Sequence, residues 1–218
     1  MSTYKPLEQR LWLDGLDCII LGGVSIEDFT TILKTDQETA WKMLQELSQH
    51  DIGRFDGAIS EFIEGDKLRA AMFTLEKGIP VDDVAKRLSW RDFEGLAAQI
   101  LESKDFAIKR NLVLREPRME IDVVGIKLGV AMLVDCKHWK RHSKASLQNA
   151  VDKQIERTKH YVAKTKNTMA APIIVTLYQN EVNFIRNVPI VPIFQFSAFI
   201  DEFYGNLEDI KIIRKESQ

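Results

Sequence analysis

Glu120-Ile121-Asp122-Val123-Val124-Gly125 and, four residues further on, Val130-Ala131-Met132-Leu133-Val134-Asp135-Cys136-Lys137 are apolar runs rich in β-branched residues, each interrupted by an aspartate. Strands tolerate Asp poorly, so two in neighbouring runs need a cause. Side chains two apart in a strand share a face, so Asp135 and Lys137 point together while Val134 and Cys136 pack behind them. Asp122 joins them if the connecting loop has even length, and two loops satisfy this. A loop of Lys127-Leu128 sets Asp122 opposite Leu133 and diagonal to Asp135, whereas Lys127 to Val130 sets it opposite Asp135. Carboxylates this close repel unless a proton or a cation lies between them. Oxygen donors favour a hard divalent ion, Mg²⁺ or Mn²⁺, over zinc.

The segments around these runs give an order. Upstream, Ser89 is an N-cap for a helix to about Ser103 with the apolar stripe Phe93, Leu96, Ala97, Ile100 and Leu101, and Glu94 in its first turn could reach the same ion. Extended segments follow at 107–114, 120–125 and 130–137, then a polar helix over 143–166. Pro172 to Leu177 reads as a buried strand, Val188 to Phe196 as another, and Ser197 to Tyr204 as a closing helix. This is αβββαβ, then β and α, an α/β class with a mixed sheet. Before it, helices are expected over 6–21, stopped by Gly22-Gly23, over 26–33 capped by Ser25, and from Asp36 to about residue 49. Arg54-Phe55-Asp56-Gly57-Ala58-Ile59 carries an Asp-Gly hairpin signal. Three helices and a hairpin are the order of a winged helix. Further helices are expected at 66–77 and 81–88, which puts a mainly α winged-helix-like domain at 1–88 and a second domain at 89–218.

The 218 residues are 45% hydrophobic and 28% charged, with a formal net charge of -2. That near-neutrality is a sum of unlike parts. Residues 1–89 carry 10 basic and 16 acidic side chains, residues 137–166 carry 9 and 2. The second segment, with Lys140, Arg141, Lys144, Lys153, Arg157 and Lys159, can follow a phosphate backbone, and such binding weakens steeply with salt. Trp139 can stack on an unpaired base or pack under a loop. The histidines nearby, His138, His142 and His160, lack partners at zinc-ligand spacing and read as surface residues or phosphate contacts. No apolar run approaches a membrane span of roughly 18 to 20 residues, and the polar opening Met1 to Gln9 lacks a signal-peptide core. With only Cys18 and Cys136, a disulfide framework is not expected. A cytoplasmic protein without a membrane partner is the expectation.

Asp122, thirteen residues before Asp135-Cys136-Lys137, with Phe93-Glu94 on the preceding helix and Gln154 on the following one, resembles the PD-(D/E)XK nuclease superfamily over roughly residues 89–200. The likeness is greatest to its Mrr-type and archaeal Holliday-junction-resolvase-like branches. Asp135 stands where Glu is more frequent, and Gln154 is followed at the third position by Arg157 where the Mrr-type pattern has Lys. The resemblance implies a restriction-endonuclease-like core and a Mg²⁺ cofactor for which Mn²⁺ substitutes. It implies Glu94, Asp122, Asp135 and the Cys136 carbonyl as metal ligands, Lys137 as the group that orients the attacking water, and Gln154 as part of the catalytic set. The function expected is metal-dependent hydrolysis of DNA in repair, recombination or defence.

Two alternatives are open. One is a DNA-binding or regulatory protein that retains the fold without cleavage, the other an accessory subunit that needs a partner. The third helix, with Asp36, Glu38 and Glu46 against Lys42, is a poor DNA reader by charge, which favours a protein contact or homodimerisation for residues 1–88.

Overall fold

A computed structural model describes residues 6–138, 143–177 and 183–215. The chain is α/β and divides into two units, Met1–Asp92 and Phe93–Gln218. No helix among the described residues is long and apolar enough to cross a membrane.

In the first unit, α1 (Pro6–Gly15) ends earlier than the apolar spacing predicts and passes into a 3-10 turn, Leu16–Cys18. β1 (Val24–Ser25), α2 (Ile26–Leu33), α3 (Gln37–Gln49), β2 (Arg54–Phe55) and β3 (Ile59–Glu61) follow. The caps decide these helix starts: Ser25 Oγ accepts the Asp28 amide at 3.1 Å and Asp36 Oδ1 the Thr39 amide at 2.8 Å, each satisfying an orphan N–H of the first turn. Asp56 Oδ1 accepts the amides of Ala58 and Ile59 and closes the hairpin. The three strands form an antiparallel sheet in the order β1-β3-β2. α4 (Asp66–Glu76) and α5 (Val81–Lys86) complete the unit. Arg87, just past α5, pairs with Asp14 at 2.8 Å and with Asp17. The buried ammonium of Lys77 lies over the rings of Trp12 and Phe73 and pairs with Glu46.

The second unit contains α6 (Trp90–Glu102) from Phe93 onward, then β4 (Ala107–Leu114), β5 (Met119–Lys127), β6 (Val130–Lys137), α7 (Lys144–Lys164), β7 (Met169–Thr176), β8 (Phe184–Ile185), β9 (Val188–Pro192), α8 (Ile193–Glu202), a 3-10 turn (Phe203–Asn206) and β10 (Ile213–Arg214). The sheet order is β4-β5-β6-β7-β9-β8, with β10 on β7. β4, β5 and β6 form an antiparallel meander, β7 returns parallel to β6 through α7, and β9 is parallel to β7.

A second expectation is corrected as well. The run 188–196 is not a single strand: Pro192, with extended backbone, is the N-cap of α8, and Ile193, Phe196 and Ile200 form a buried helical stripe. The apolar run hid that change of period. β8 and β10, two residues each, carry too little pattern to be read.

α7 lays Leu147, Ala150, Val151, Ile155, Tyr161 and Val162 on the sheet, the spacing of one helical face. Gln154 and Thr158 lie in the same buried stripe. The β5–β6 hairpin pairs Lys127 with Val130, leaving Leu128-Gly129 as a two-residue turn with positive φ at both positions, the signature of a type I′ turn. At the turn end of β5, Lys127 donates to the Lys104 carbonyl, and its own carbonyl accepts the Tyr204 hydroxyl at 2.6 Å.

Gly125 lets β5 approach α6 closely: a Cβ there would stand 3.1 Å from Phe106 and 3.2 Å from Leu101, both buried. Gly125→Val is expected to destabilise by about 1–3 kcal/mol through overpacking. A lowered urea midpoint at unchanged m-value would show it, and an unchanged midpoint would refute the packing argument.

Candidate active site

The β5–β6 register places the two aspartates. The ladder runs from Lys127↔Val130 to Val123↔Val134, and one residue further along the same register sets Asp122 opposite Asp135. Of the two arrangements open from sequence, this is the register of the longer loop, with two of its four residues drawn into the pairing. The backbone ladder stops there because Asp122 Oδ2 itself accepts the Cys136 amide, at 2.7 Å. On the other side, the β4–β5 register passes from Arg110↔Val123 to Leu112↔Ile121, so Asn111 stands opposite Asp122. Asn111 has φ of 49°, a left-handed conformation that Asn adopts more readily than most residues, and the pairing of β4 with β5 skips it.

Asp135 is 2% exposed. Its Oδ1 accepts Arg157 Nη1 at 2.7 Å, and Lys137 Nζ lies 2.6 Å from Oδ2. Glu94, 7% exposed, is the third acid. Its pKa is pushed up to about 7, first by burial and then by the charge of Asp122, with Asp135 adding to the rise and Arg110 and Lys137 opposing it. Burial, then Asp135, also raises Asp122, against the Cys136 amide bond, Lys137 and Arg157. The Cys136 thiol is pushed well up, mainly by burial. Thus α6, β5 and β6 bring Glu94, Asp122, Asp135 and Lys137 into one electrostatically coupled group.

Among the described residues, no three His, Cys, Asp or Glu side chains are gathered closely enough to hold a metal ion. The donor chemistry nonetheless suits a hard cation. Three carboxylates supply oxygen only, and two have raised pKa values, first because they are buried and then because Asp122 and Asp135 repel Glu94 and Asp135 repels Asp122. Lys137 and Arg157 supply the positive charge at Asp135.

Gln154 and Arg157 take roles that sequence spacing does not specify. Gln154 is fully buried, and its Nε2 donates to the Leu133 carbonyl at 2.8 Å, fastening α7 to β6. Arg157, expected on a phosphate, is occupied by Asp135 because the helix stripe turns it toward the sheet. Lys159 is exposed and paired with Glu156 at 2.7 Å. Lys144 and Lys153 are exposed along α7. Lys140 and Arg141, with Trp139 and His142, lie outside the described residues. His160 Nε2 is 3.1 Å from the Arg115 carbonyl, and the ring of His138 meets that of Phe93 edge-on at 5.3 Å. Arg110 is a participant the sequence reading missed. The available signal was the adjacent pair Lys109-Arg110 inside a strand that precedes the first aspartate.

No family model matches the chain, and no curated protein does. Two proteins are among the solved structures similar to the chain in part. One, described as a protein of unknown function, AF1548, is 21% identical with a TM-score of 0.30 over 38% of this chain and 46% of its own. The other, protein VC1899 from Vibrio cholerae, is 14% identical with a TM-score of 0.41 over 95% of this chain and 58% of its own. The chain thus spans about half the length of each, and at these scores neither bears on its activity.

The raised pKa of Glu94 has a consequence for stability. The folded protein holds this proton more tightly than the unfolded chain, whose Glu titrates near 4.5. The stabilisation is complete below that value and is lost as pH rises through about 7. Glu94→Gln cannot ionise, so in EDTA its Tm should match the wild type near about pH 4 and exceed it near about pH 8. An equal difference at both pH values would contradict the shift.

Proposed function

We propose that this chain is a metal-dependent DNA nuclease of the PD-(D/E)XK type. The observation that carries this reading is that Glu94, Asp122 and Asp135 lie with Lys137 in one group where the pairing of β5 and β6 ends, with the pKa values of Glu94 and Asp122 raised by burial and then by an acidic neighbour. The order α6-β4-β5-β6-α7-β7, an antiparallel meander followed by a parallel return, supports a restriction-endonuclease-like core.

Asp122 and Asp135 would hold Mg²⁺ or Mn²⁺, with Glu94 and the Cys136 carbonyl as further oxygen donors. A divalent cation there supplies polarisation of the phosphoryl oxygen and lowers the pKa of a water. Lys137 carries its charge to the edge of the acid cluster, where it orients the attacking water and stabilises the charge that develops on phosphorus. Exposed Lys144 and Lys153 give α7 positive charge for a DNA backbone.

For the first unit we read a winged-helix-like domain from the order helix, strand, helix, helix, hairpin with β1 added to the hairpin. Its third helix supports a protein contact or homodimerisation more than DNA reading. Lys42 is paired with Glu38, and exposed Trp41 meets Phe55 edge-on at 6.2 Å.

A non-catalytic reading has one observation in its favour, the capture of Asp135 by two cations. Incubation with plasmid, single-stranded and branched DNA in Mg²⁺ or Mn²⁺ separates the two. The wild type should cleave at least one substrate, and Asp135→Asn and Lys137→Ala should each reduce the rate by about 10²-fold or more. Their DNA affinity should remain within a few-fold of wild type. A folded wild-type protein that cleaves none of the three would leave the non-catalytic reading.

A further inference from the structure

Arg157 faces two places at once. It pairs with Asp135 Oδ1 at 2.7 Å, and it lines a groove of about 550 Å³ alongside α7. Every acid lining that groove already has a cation of its own: Glu120 pairs with Arg118, also in the lining, at 2.7 Å, Asp152 with Arg186 at 2.8 Å and Glu156 with Lys159 at 2.7 Å. Lys153, which lines the same groove four residues before Arg157, makes no ion pair among the described residues. Residues four apart on a helix are neighbours on its surface. The groove therefore gains an uncompensated pair of cations whenever Arg157 leaves Asp135.

We propose that Arg157 is the resident counter-ion of Asp135, that a divalent cation displaces it, and that the released guanidinium joins Lys153 to make the groove a phosphate-binding site. The proposal rests on the metal-site reading above. A dication beside Asp135 would meet two positive charges already within 2.7 Å of that carboxylate. The side chains of Lys137 and Arg157 are about equally covered, at 21% and 24% exposed, but only Arg157 lines the groove. Arg157 sits on a helix with the groove beside it and is partly exposed. Cation and phosphate then bind with positive coupling, each favouring the state with Arg157 released, and the coupling is the same in both directions.

Mn²⁺ binding to the full chain, followed by loss of the free-ion EPR signal, tests this without reference to cleavage. Arg157→Ala should bind Mn²⁺ about five- to tenfold tighter than wild type, because the competing cation is gone. Arg157→Gln, which keeps a hydrogen-bond donor without the charge, should do the same and guards against misfolding of the first variant. A short DNA duplex, measured while still intact, should tighten Mn²⁺ binding in the wild type and not in either variant. Unchanged or weaker Mn²⁺ binding in both variants overturns the inference while leaving the metal site standing. No Mn²⁺ binding by wild type, or equal binding by Asp135→Asn, overturns the nuclease reading and this inference with it.

Discussion

A carboxylate withdrawn from water must be neutralised or protonated, and at Asp135 neutralisation is done by two side chains from different elements. Lys137 reaches it from two residues along the same strand and Arg157 from α7, so the charge ties the helix to the end of the sheet. The bond from Gln154 to the Leu133 carbonyl is a second tie between the same elements, made one turn away on the buried face of α7. Without these polar fasteners, the apolar stripe of α7 would define a face but not the depth at which the basic residues stand over β6. Breaking one side of such a buried pair costs more than never having made it, which keeps Asp135 and its cations together.

The hairpin gives the second aspartate its place. A two-residue turn fixes the β5–β6 register, and a slip of one residue would carry Asp122 to the other face of the sheet. The Asp122 side chain then substitutes for a backbone acceptor by taking the Cys136 amide, so the site begins where the ladder ends. Gly125 allows α6 to lie close against β5 three residues away, and α6 carries Glu94.

Much of this was legible in the sequence because it is local. The caps Ser25 and Asp36 mark helix starts, alternation marks β4 to β6, and the parity of Asp135 and Lys137 puts them on one face. What escaped depends on contacts distant in sequence. Gln154 and Arg157, three apart, look like an ordinary helix surface until the packing of α7 turns both toward β6. Arg110 matters only because β4 lies beside Asp122. The break at Pro192 is invisible to a hydrophobicity reading, since both the strand and the helix stripe that follow one another there are apolar. The charge distribution was legible in sum but not in effect: of the Lys and Arg residues on α7, Arg157 and Lys159 are held by Asp135 and Glu156, and Lys144, Lys153 and Lys164 are exposed.

Whether Asp122 and Asp135 form a cation site is settled by a crystal structure of the protein soaked in Mn²⁺. The expected result is an anomalous peak between the two carboxylates, with Arg157 withdrawn from Asp135. A fully soaked crystal with no Mn²⁺ at those carboxylates and the Arg157–Asp135 pair intact would contradict it.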